Sequence, residues 1–320
     1  MVSTEFGLTA HKVGVLIPTR NRPQKVRTLL ASLVRSTIQP TQVVVVSSGD
    51  EISEVLNEFS SLLNVKYEHS ALYGQANQKK IGVKLLEQDL DWVVFLDDDL
   101  KVHPNCIENA LRDVFDFEIS YNNRVTGVGL ALPPTSRALN SNNVSRWIGR
   151  AFLISNTKPG VVSKNGHAAS YLESKETLPT QWLNGASMWR RNSINFYGKD
   201  LVSTTYAACE DLIFSYSQFQ GNNLIYSPNA MITFQEDEVT NFENSLVFET
   251  AALWRLYFVM TNRGFSRTLF LYSQIGRTMF GVMKTDKYRL RFLWRGLVFW
   301  IRLVFLSMSK TKLENTLKSV

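Results

Sequence analysis

Three consecutive carboxylates, Asp97, Asp98 and Asp99, are the side chains of this 320-residue chain whose types and spacing best fit a chemical role. They follow residues 91–96, a short and mainly apolar run that is typical of a buried strand. Carboxylates crowded at a strand end repel one another unless water or a cation neutralises them. Because Mg²⁺ is commonly held by one or two carboxylates together with substrate phosphates, we predict that Asp97 and Asp99 bind Mg²⁺ or Mn²⁺. The alternative is an acidic turn that binds no metal.

The segments around the triplet alternate between strand and helix patterns. Apolar runs predict strands at residues 13–17, 42–47, 65–67 and 91–96, and periodic segments predict helices between them at residues 23–36, 51–63 and 74–88. A chain that alternates in this way forms a right-handed, doubly wound, mostly parallel sheet of the α/β class. Ligands bind where the strands of such a sheet end, so the predicted fold places the triplet at a ligand-binding edge.

The remainder of the chain contains an irregular stretch, further α/β elements and a helical end. Residues 133–180 are rich in Ser, Asn and Gly and too long for a plain connection, which is typical of a functional loop or lid. From about residue 241 the pattern is helical. We therefore predict an α/β domain at residues 1–240 and an amphipathic helical region at residues 241–320. Further helices and strands are predicted at 104–117, 125–132, 210–219, 223–226 and 231–234.

Charge is distributed unevenly along the chain. Residues 251–320 hold 13 Lys and Arg against Asp286 and Glu314, a net charge of +11, whereas residues 1–250 have a net charge of −4. A mildly acidic body with a basic, aromatic-rich tail indicates a polyanionic partner, either a membrane or a nucleic acid.

Residues 284–306 carry most of this tail's pattern. On a helical wheel at about 100° per residue, the cations fall within roughly 80° of one another and the other faces are aliphatic and aromatic. Such a helix is typical of a membrane interface, and we predict that it binds an anionic membrane surface. The alternative is a helical subdomain that packs on the core or on a second subunit in a homo-oligomer. Nucleic-acid binding is disfavoured by the many large aliphatic residues and the lack of a known module. The cations are Lys284, Lys287, Arg291, Arg295 and Arg302.

Cysteine usage and the apolar runs indicate the compartment. The two cysteines, Cys106 and Cys209, lack metal-ligand spacing and are predicted to be reduced thiols. Residues 1–12 contain no apolar signal segment, and no window of ~18 apolar residues predicts a transmembrane helix. We therefore expect a cytoplasmic protein, peripheral on the inner face of the membrane.

Four segments in order carry a family resemblance. They are residues 15–22 (Val-Leu-Ile-Pro-Thr-Arg-Asn-Arg), residues 95–99 (Phe-Leu-Asp-Asp-Asp), residues 182–191 (Trp-Leu-Asn-Gly-Ala-Ser-Met-Trp-Arg-Arg), and residues 209–212 (Cys-Glu-Asp-Leu) with Gly221 and residues 226–230 (Tyr-Ser-Pro-Asn-Ala). Together they resemble the family 2 glycosyltransferases of the GT-A fold, and residues 95–99 are similar to the Asp-x-Asp motif of that family. The resemblance covers about residues 11–237. It implies that residues 1–240 bind a nucleotide-sugar and transfer the sugar with inversion.

The chemistry of this transfer assigns roles to the acidic residues. A metal held by Asp97 and Asp99 would neutralise the leaving diphosphate as a Lewis acid. The attacking hydroxyl must lose a proton, and Asp211, with Glu210 beside it, is the candidate general base. Both lie in the first turn of a predicted helix, where the macrodipole favours the ionised form. The alternative is that Glu210 and Asp211 only cap the helix.

The resemblance also implies a nucleotide-sugar site, with two departures from the family pattern. Ser47 and Ser48 occupy the place where the family has an Asp that contacts uracil, and the acid has moved to Asp50, so UDP-, dTDP- and GDP-linked donors all stay open. Lys79 stands in the place of an arginine, and the alternative for it is a solvated helix face. The predicted donor-binding residues are Pro18, Thr19, Asn21, Arg22, Ser48, Asp50, Gly74, Lys79, Asp97 and Asp98.

The acceptor side and the third metal ligand follow from the same resemblance. Many relatives have a histidine after the strand that follows Pro228, as a further metal ligand, whereas this chain has Phe234 and then Gln235. Either a carboxylate takes the place of this histidine, or the metal is held mainly by the Asp-x-Asp pair. The predicted acceptor-side residues are Trp182, Asn184, Gly185, Arg190 and Arg191.

These observations predict a metal-dependent, hexosyltransferase-like enzyme. Its acceptor would be a hydroxyl of a glycan or a polyprenyl-linked glycan in surface polysaccharide synthesis, and no nucleic acid would take part. One alternative is a catalytically silent GT-A scaffold at the membrane. Another is a nucleotidyltransferase, which is disfavoured because no Gly-rich phosphate loop follows the first strand.

Overall fold

A computed structural model of the chain describes residues 11–133, 143–155, 158–195, 208–221, 223–235, 245–284 and 289–319. These residues belong to two compact units. The described residues of the first unit fall within Met1–Pro133, Tyr171–Leu201 and Phe214–Val239, and those of the second within Pro134–Ser170, Val202–Ile213 and Thr240–Val320. The second unit therefore draws on two segments of the predicted catalytic region as well as on the helical tail.

In its described residues, the first unit is built on a nine-stranded sheet with the order β3-β2-β1-β4-β8-β6-β9-β5, and β7 pairs with β9. Its strands β1, β2, β3, β4, β6 and β9 run in one direction, and β5, β7 and β8 run against them. The predicted α/β fold with a mostly parallel central sheet is confirmed. The strands are β1 Val13–Arg20, β2 Gln42–Ser48, β3 Val65–His69, β4 Trp92–Phe95, β5 Leu100–Val102, β6 Gly127–Ala131, β7 Leu178–Pro179, β8 Ser187–Arg190 and β9 Leu224–Phe234.

The central strands are apolar along their whole length because helices cover both faces of the sheet. Val15 and Ile17 of β1 belong to one buried cluster, and Leu16 between them belongs to the other. Helices α1 and α4 contribute to the first cluster. Side chains of α3 pack on the second cluster. The helices of this unit are α1 Pro23–Val34, α2 Ser53–Asn57, α3 Gln75–Leu85 and α4 Cys106–Tyr121.

The structure differs from the sequence-based prediction in several elements. Strand β5 was not predicted, and the stretch 133–180, predicted to be irregular, contains a helix at Asn143–Ala151 and strand β7. The helix expected at 51–63 extends only over Ser53–Asn57, and the rest is turn. The two strands expected at 223–226 and 231–234 form one strand, β9, because the ladder to β6 resumes after a bulge between Ser227 and Met231. A proline lacks the N–H that a regular ladder needs, and Pro228 lies within this bulge.

The second unit is mainly helical in its described part, with an irregular segment at residues 158–170. Trp254, Phe258 and Phe270 are fully buried, Phe152 stacks on Tyr272, and the Trp300 indole N–H donates to the Leu271 carbonyl at 2.9 Å. None of the described helices is long and apolar enough to cross a membrane. The helices are α5 Asn143–Ala151, α6 Glu210–Gln218, which continues into the first unit, α7 Ser245–Thr261, α8 Arg267–Lys284, α9 Arg289–Ser307 and α10 Lys310–Lys318.

Candidate functional site

The acidic triplet lies beside the turn that follows β1, because β1 and β4 are parallel neighbours that end at the same edge. The two oxygens of Asp98 accept from the Thr19 hydroxyl at 2.6 Å and from Arg22 Nη1 at 3.1 Å. Asp98 and Thr19 are both buried. Hydrogen bonds that an ionised carboxylate accepts in a buried place are stronger than neutral ones. Asp98 therefore fixes the turn of the predicted nucleotide site to the triplet.

The ends of β1 and β2 form the next part of this edge. Asn21 has a left-handed backbone (φ 55°), and its Oδ1 accepts from the Asp50 N–H at 2.8 Å. Gly49 is also left-handed (φ 88°), and a Cβ there would overlap Asn21 Oδ1. Asn tolerates this conformation better than most residues. Of the predicted donor-binding residues here, Pro18 pairs with Val46 within the ladder, and the sheet aligns Arg20 with Ser48.

Helix α3 closes the edge from one side through a buried glutamine. Gln78 Nε2 donates to the Thr19 carbonyl at 2.5 Å and to the Val46 carbonyl at 3.1 Å, and it lies 3.3 Å from Ser48 Oγ. One side chain thus joins β1, β2 and α3. Gly74 precedes the helix with φ 98°, a conformation that suits glycine.

The structure decides against one of the two roles that the sequence left open for Lys79, that of a residue on a solvated helix face. Its side chain is buried and its Nζ lies 5.9 Å from the centre of the Phe95 ring. The solvated helix face is therefore wrong for Lys79. A buried lysine at this edge of the sheet is suited to neutralise a phosphate group as a point charge.

The other two aspartates of the triplet have different surroundings. Asp97 accepts a hydrogen bond from the Gln75 amide. Burial raises the pKa of the Asp99 carboxyl above its usual range, and the charge of Asp98 raises it further, while Lys25 and Arg22 act in the opposite direction. A carboxylate whose charge is disfavoured by burial and by a like charge is stabilised by a nearby cation.

These surroundings fit a divalent cation held by Asp97 and Asp99. Asp98 is occupied by Thr19 and Arg22, so the outer pair of the triplet is the one suited to a metal. Among the described residues, no group of three or more His, Cys, Asp and Glu side chains could hold a metal ion. Two carboxylates completed by substrate phosphates and water are the usual ligands of Mg²⁺ in phosphate chemistry.

Gln235 stands next to the place where the family pattern has a histidine, and its role is structural. Its Nε2 lies 2.9 Å from the Lys25 carbonyl and 3.0 Å from the carbonyls of both Asp98 and Leu100. Its backbone N–H donates to the Asp99 carbonyl at 2.8 Å. Since all these partners are acceptors, Gln235 presents its amide nitrogen and holds the backbone of the triplet in place.

The predicted acceptor-side segment separates into two groups. Trp182 packs on Tyr171 with ring centres 5.1 Å apart. The Tyr171 hydroxyl accepts from the Asn184 N–H at 2.7 Å and donates to Asn184 Oδ1 at 3.2 Å. Gly185 is buried, and the next carbonyl, of Ala186, accepts from the Leu130 N–H. These residues precede β8, and therefore lie toward the edge that carries the triplet.

The paired arginines lie at the opposite end of β8. Strand β8 is antiparallel to β4, and Arg190 faces Trp92 at the start of β4, about 10 Å along the strand from its end. Arg190 binds Glu118 at 2.8 Å and the Val125 carbonyl at 2.7 Å. Arg191 donates to main-chain carbonyls of Val83 and Glu87. The acceptor role predicted for these arginines disagrees with this placement, because the direction of β8 carries them away from the triplet.

The candidate base belongs to the second unit. Glu210 and Asp211 are the first two residues of α6, and Cys209 before them has a left-handed backbone (φ 66°). The Cys209 carbonyl accepts from the Ile213 N–H at 3.1 Å, which closes the first turn. Glu210 is buried, and Asp211 is more accessible. Of the two, Asp211 is therefore better placed to meet a substrate.

Sequence reasoning missed three glutamines that hold the site, namely Gln75, Gln78 and Gln235. Neutral amides carry no charge pattern, and two of them lie in α3, whose exposed and buried faces are weakly distinguished in sequence. The one signal in the sequence was at Gln235, which follows the strand where a metal-binding histidine was expected. Its side-chain amide has two protons, which it donates to several carbonyls.

Comparison with known proteins matches the part of the chain that carries the acidic triplet. The sequence profile of glycosyl transferase family 2 matches residues 14–123, which contain β1 to α4 and the acidic triplet. Chondroitin synthase from Escherichia coli is 31% identical over 103 residues, which is 31% of this chain and 15% of the synthase. The chain thus spans a small part of that relative.

Solved structures resemble nearly the whole chain. The first 349 residues of S. aureus TarS, in complex with UDP-GlcNAc, superpose with a TM-score of 0.54 at 14% identity, covering 96% of this chain and 90% of that chain. The mannosyltransferase PcManGT from Pyrobaculum calidifontis, in complex with GDP-Man and Mn²⁺, gives a TM-score of 0.53 at 11% identity, covering 95% and 86%. These similarities show that the chain has the fold of the GT-A glycosyltransferases.

Proposed function

We propose that this protein is an inverting glycosyltransferase that moves a sugar from a nucleotide diphosphate to a hydroxyl of a glycan or lipid-linked acceptor. The observation that carries the proposal is the acidic triplet, which Asp98 ties to Thr19 and Arg22 at the ligand-binding edge of a GT-A sheet. The profile match over residues 14–123 covers this same edge.

The donor would bind along the ends of β1, β2 and β4. The base and ribose would lie beside Asp50, which the left-handed turn at Asn21 and Gly49 positions, and buried Lys79 would supply positive charge for the phosphates. Mg²⁺ or Mn²⁺ on Asp97 and Asp99 would neutralise the leaving diphosphate. Structures of similar fold contain UDP-GlcNAc or GDP-Man, the latter with Mn²⁺, which supports a nucleotide-sugar of either base.

Asp211 would act as the general base toward the acceptor hydroxyl. It opens helix α6, where the partial positive charge of the helix start favours an ionised carboxylate. Direct attack of the activated hydroxyl on the anomeric carbon, opposite the leaving diphosphate, inverts that centre. The partly exposed ring of Trp182, which packs on the buried Tyr171, suits the apolar face of a sugar, which supports a glycan acceptor and a role in surface polysaccharide synthesis.

A panel of UDP-, dTDP- and GDP-linked sugars tests the proposal by thermal shift with Mn²⁺. A ligand that binds only the native state raises the melting temperature, by an amount that grows with its concentration over its Kd. We expect the donors of one base to raise the melting temperature most, and EDTA to remove this shift. The protein should also release the nucleotide diphosphate slowly from that donor. The absence of a shift with every donor at millimolar concentration would overturn the assignment.

We further propose that α9 lies on an anionic membrane surface at the inner face of the membrane. Seven apolar residues recur on one side of this helix and its end, and each is between 42% and 83% exposed. Their period of three and four residues places them on one stripe. They are Leu290, Trp294, Leu297, Val298, Ile301, Phe305 and Met308.

Two cations border one side of this stripe, and their charge favours one of the possible occupants. Arg295 and Arg302 are exposed and lie about 80–100° from Trp294 around the helix, and residues 251–320 have a net charge of +11. A second copy of the chain would bring the same positive charge to the contact, whereas anionic headgroups complement it. An apolar stripe bordered by arginines fits the boundary between acyl chains and headgroups. The stripe and its arginines therefore support a peripheral membrane protein at the cytoplasmic face.

A further inference from the structure

Two arginines of the second unit lie beside each other with their Nε atoms buried. These atoms, in Arg255 on α7 and Arg277 on α8, have no hydrogen-bond partner among the described residues. No described carboxylate forms an ion pair with either guanidinium. Burial of positive charge is costly unless an anion or several acceptors compensate it, so this pair is suited to a negatively charged ligand.

His167 completes the cluster as a hydrogen-bond donor. Arg277 Nη2 lies 3.4 Å from His167 Nδ1. Since arginine can only donate, His167 accepts at Nδ1 and carries its proton on Nε2. Burial, followed by the charges of Arg255 and Arg277, lowers the pKa of His167 to about 3. The imidazole therefore stays neutral and offers one N–H beside two cations.

The loop that carries His167 is built to hold it. Asn165 Nδ2 donates to the Leu153 carbonyl at 2.7 Å, and Asn165 Oδ1 accepts from the His167 N–H at 3.1 Å and from the Ser163 hydroxyl at 2.9 Å. Gly166 has φ 76°, and a Cβ there would lie 2.6 Å from Val259 Cγ2 and 3.3 Å from Arg255 Cγ. The close approach of this loop to α7 thus needs a glycine, and the loop holds His167 beside the two arginines.

The cluster adjoins the segment that bears the candidate base. The Cys209 thiol contacts the Ala251 carbonyl at 3.9 Å, one helical turn before Arg255. Burial, followed by repulsion from Arg255, lowers the pKa of Arg277 to about 9, and Cys209 acts in the opposite direction. Cys209 immediately precedes Glu210 and Asp211. A ligand held by these arginines would therefore lie near the start of α6.

We infer that Arg255, Arg277 and His167 form a binding site for an oxyanion of the acceptor, either a phosphate or a carboxylate group. Guanidinium groups present paired N–H donors that match the oxygens of both classes. The inference deepens the proposed function, on which it rests, by assigning an anionic acceptor to the Asp211 side. The donor diphosphate is assigned to the Asp97 and Lys79 edge.

Thermal shift with simple anions tests this site without any turnover. We expect inorganic phosphate or sodium glucuronate, each compared with NaCl at equal ionic strength, to raise the melting temperature of the wild-type protein. Arg255→Gln and Arg277→Gln should remove that shift. In NaCl alone, each variant should melt at or above the wild-type temperature, because the change relieves repulsion between two adjacent cations.

The control variant is Arg263→Gln, which removes an exposed arginine of the same unit and should keep the anion-dependent shift. A larger response to phosphate than to glucuronate, or the reverse, identifies the class of acceptor group. A wild-type melting temperature that neither anion raises would overturn the inference. So would variants that melt far below the wild type in NaCl, since that shows a structural role.

UDP, dTDP and GDP, each with Mn²⁺, separate this inference from the proposed function. We expect Arg255→Gln and Arg277→Gln to bind the same nucleotide diphosphate as the wild type with the same affinity, measured by calorimetric titration. Loss of this binding in both variants would overturn the acceptor assignment. A wild-type protein that binds phosphate at this cluster but no nucleotide would instead contradict the proposed function and leave the oxyanion site standing.

Discussion

Each of the three consecutive aspartates has a different neighbour, and this divides their roles. Asp98 accepts from Thr19 and Arg22 and so positions the turn after β1. Asp97 is oriented by Gln75, and Asp99 is the one whose charge is opposed by burial and by Asp98. Three residues that are equivalent in sequence thus separate into one positioning residue and two candidate metal ligands.

Asp99→Ala should abolish the metal-dependent part of nucleotide binding while the fold stays intact. Removing one of several crowded carboxylates relieves repulsion, so the melting temperature should be unchanged or higher. Calorimetric titration of UDP or GDP with and without Mn²⁺ measures the effect, and Asp116→Ala, which removes an exposed carboxylate of α4, is the matched control. Equal Mn²⁺-dependent affinity in wild type and Asp99→Ala would contradict the metal assignment.

Asp211→Asn should keep donor binding and lose transfer by roughly 10²–10⁴-fold, the usual scale for a lost general base. The amide conserves the size of the side chain and removes its ability to accept the proton. Donor affinity and turnover are to be measured on the same preparation. Turnover near the wild-type rate would place the base elsewhere, with Glu210 as the next candidate.

At the scale of elements, glutamine side chains connect strands and helices that the sheet alone leaves separate. Gln78 joins α3 to the ends of β1 and β2. Gln235 joins the end of β9 to carbonyls of α1 and of the triplet segment. Both act through main-chain acceptors, so they fix the backbone from which the aspartates project.

Gln235→Ala should destabilise the protein by about 1–3 kcal/mol, the usual cost of leaving buried carbonyls without a donor. It should also weaken Mn²⁺-dependent nucleotide binding, because the triplet backbone loses its support. Urea unfolding and calorimetry check the two effects. Gln220→Ala is the control, since this exposed glutamine uses only its backbone N–H in a described hydrogen bond. A Gln235→Ala protein with unchanged stability and binding would refute the positioning role.

At the scale of the whole molecule, charge and exposed apolar surface are concentrated in the helical tail. The sequence pattern predicts that the aromatic residues of 284–306 face a membrane. Trp300 does not fit this prediction, because its indole N–H donates to the Leu271 carbonyl and its side chain belongs to the packing of α8 on α9. The surface offered to a membrane is instead the stripe around Trp294 and Phe305, which are both 67% exposed. Lys287 lies outside the described residues.

Sedimentation with phosphatidylglycerol vesicles tests the membrane surface. Cations near an anionic surface contribute about 1 kcal/mol each, so Arg295→Gln with Arg302→Gln should release much of the protein, and salt should weaken wild-type binding. Trp294→Ser with Phe305→Ser should weaken binding even at high salt. Arg35→Gln with Lys84→Gln is a matched control that removes two exposed cations of the first unit.

Two other results would argue against a lipid partner. Wild-type protein that stays in the supernatant at low salt would contradict the membrane proposal. A dimer in solution that Trp294→Ser with Phe305→Ser converts to a monomer would show that the stripe is covered by a second copy.

The sequence alone determined the alternation of strands and helices, the position of the acidic triplet and the basic tail. These are local properties, since periodicity and charge can be counted along the chain. Tertiary structure decided which aspartates are suited to a metal. It also decided that Arg190 and Arg191 donate to Glu118 and to main-chain carbonyls, and that Arg255 and Arg277 lie side by side. Those outcomes depend on strand direction and on contacts between residues far apart in sequence, because a neutral amide or a buried cation acquires its role only from the groups that packing brings beside it.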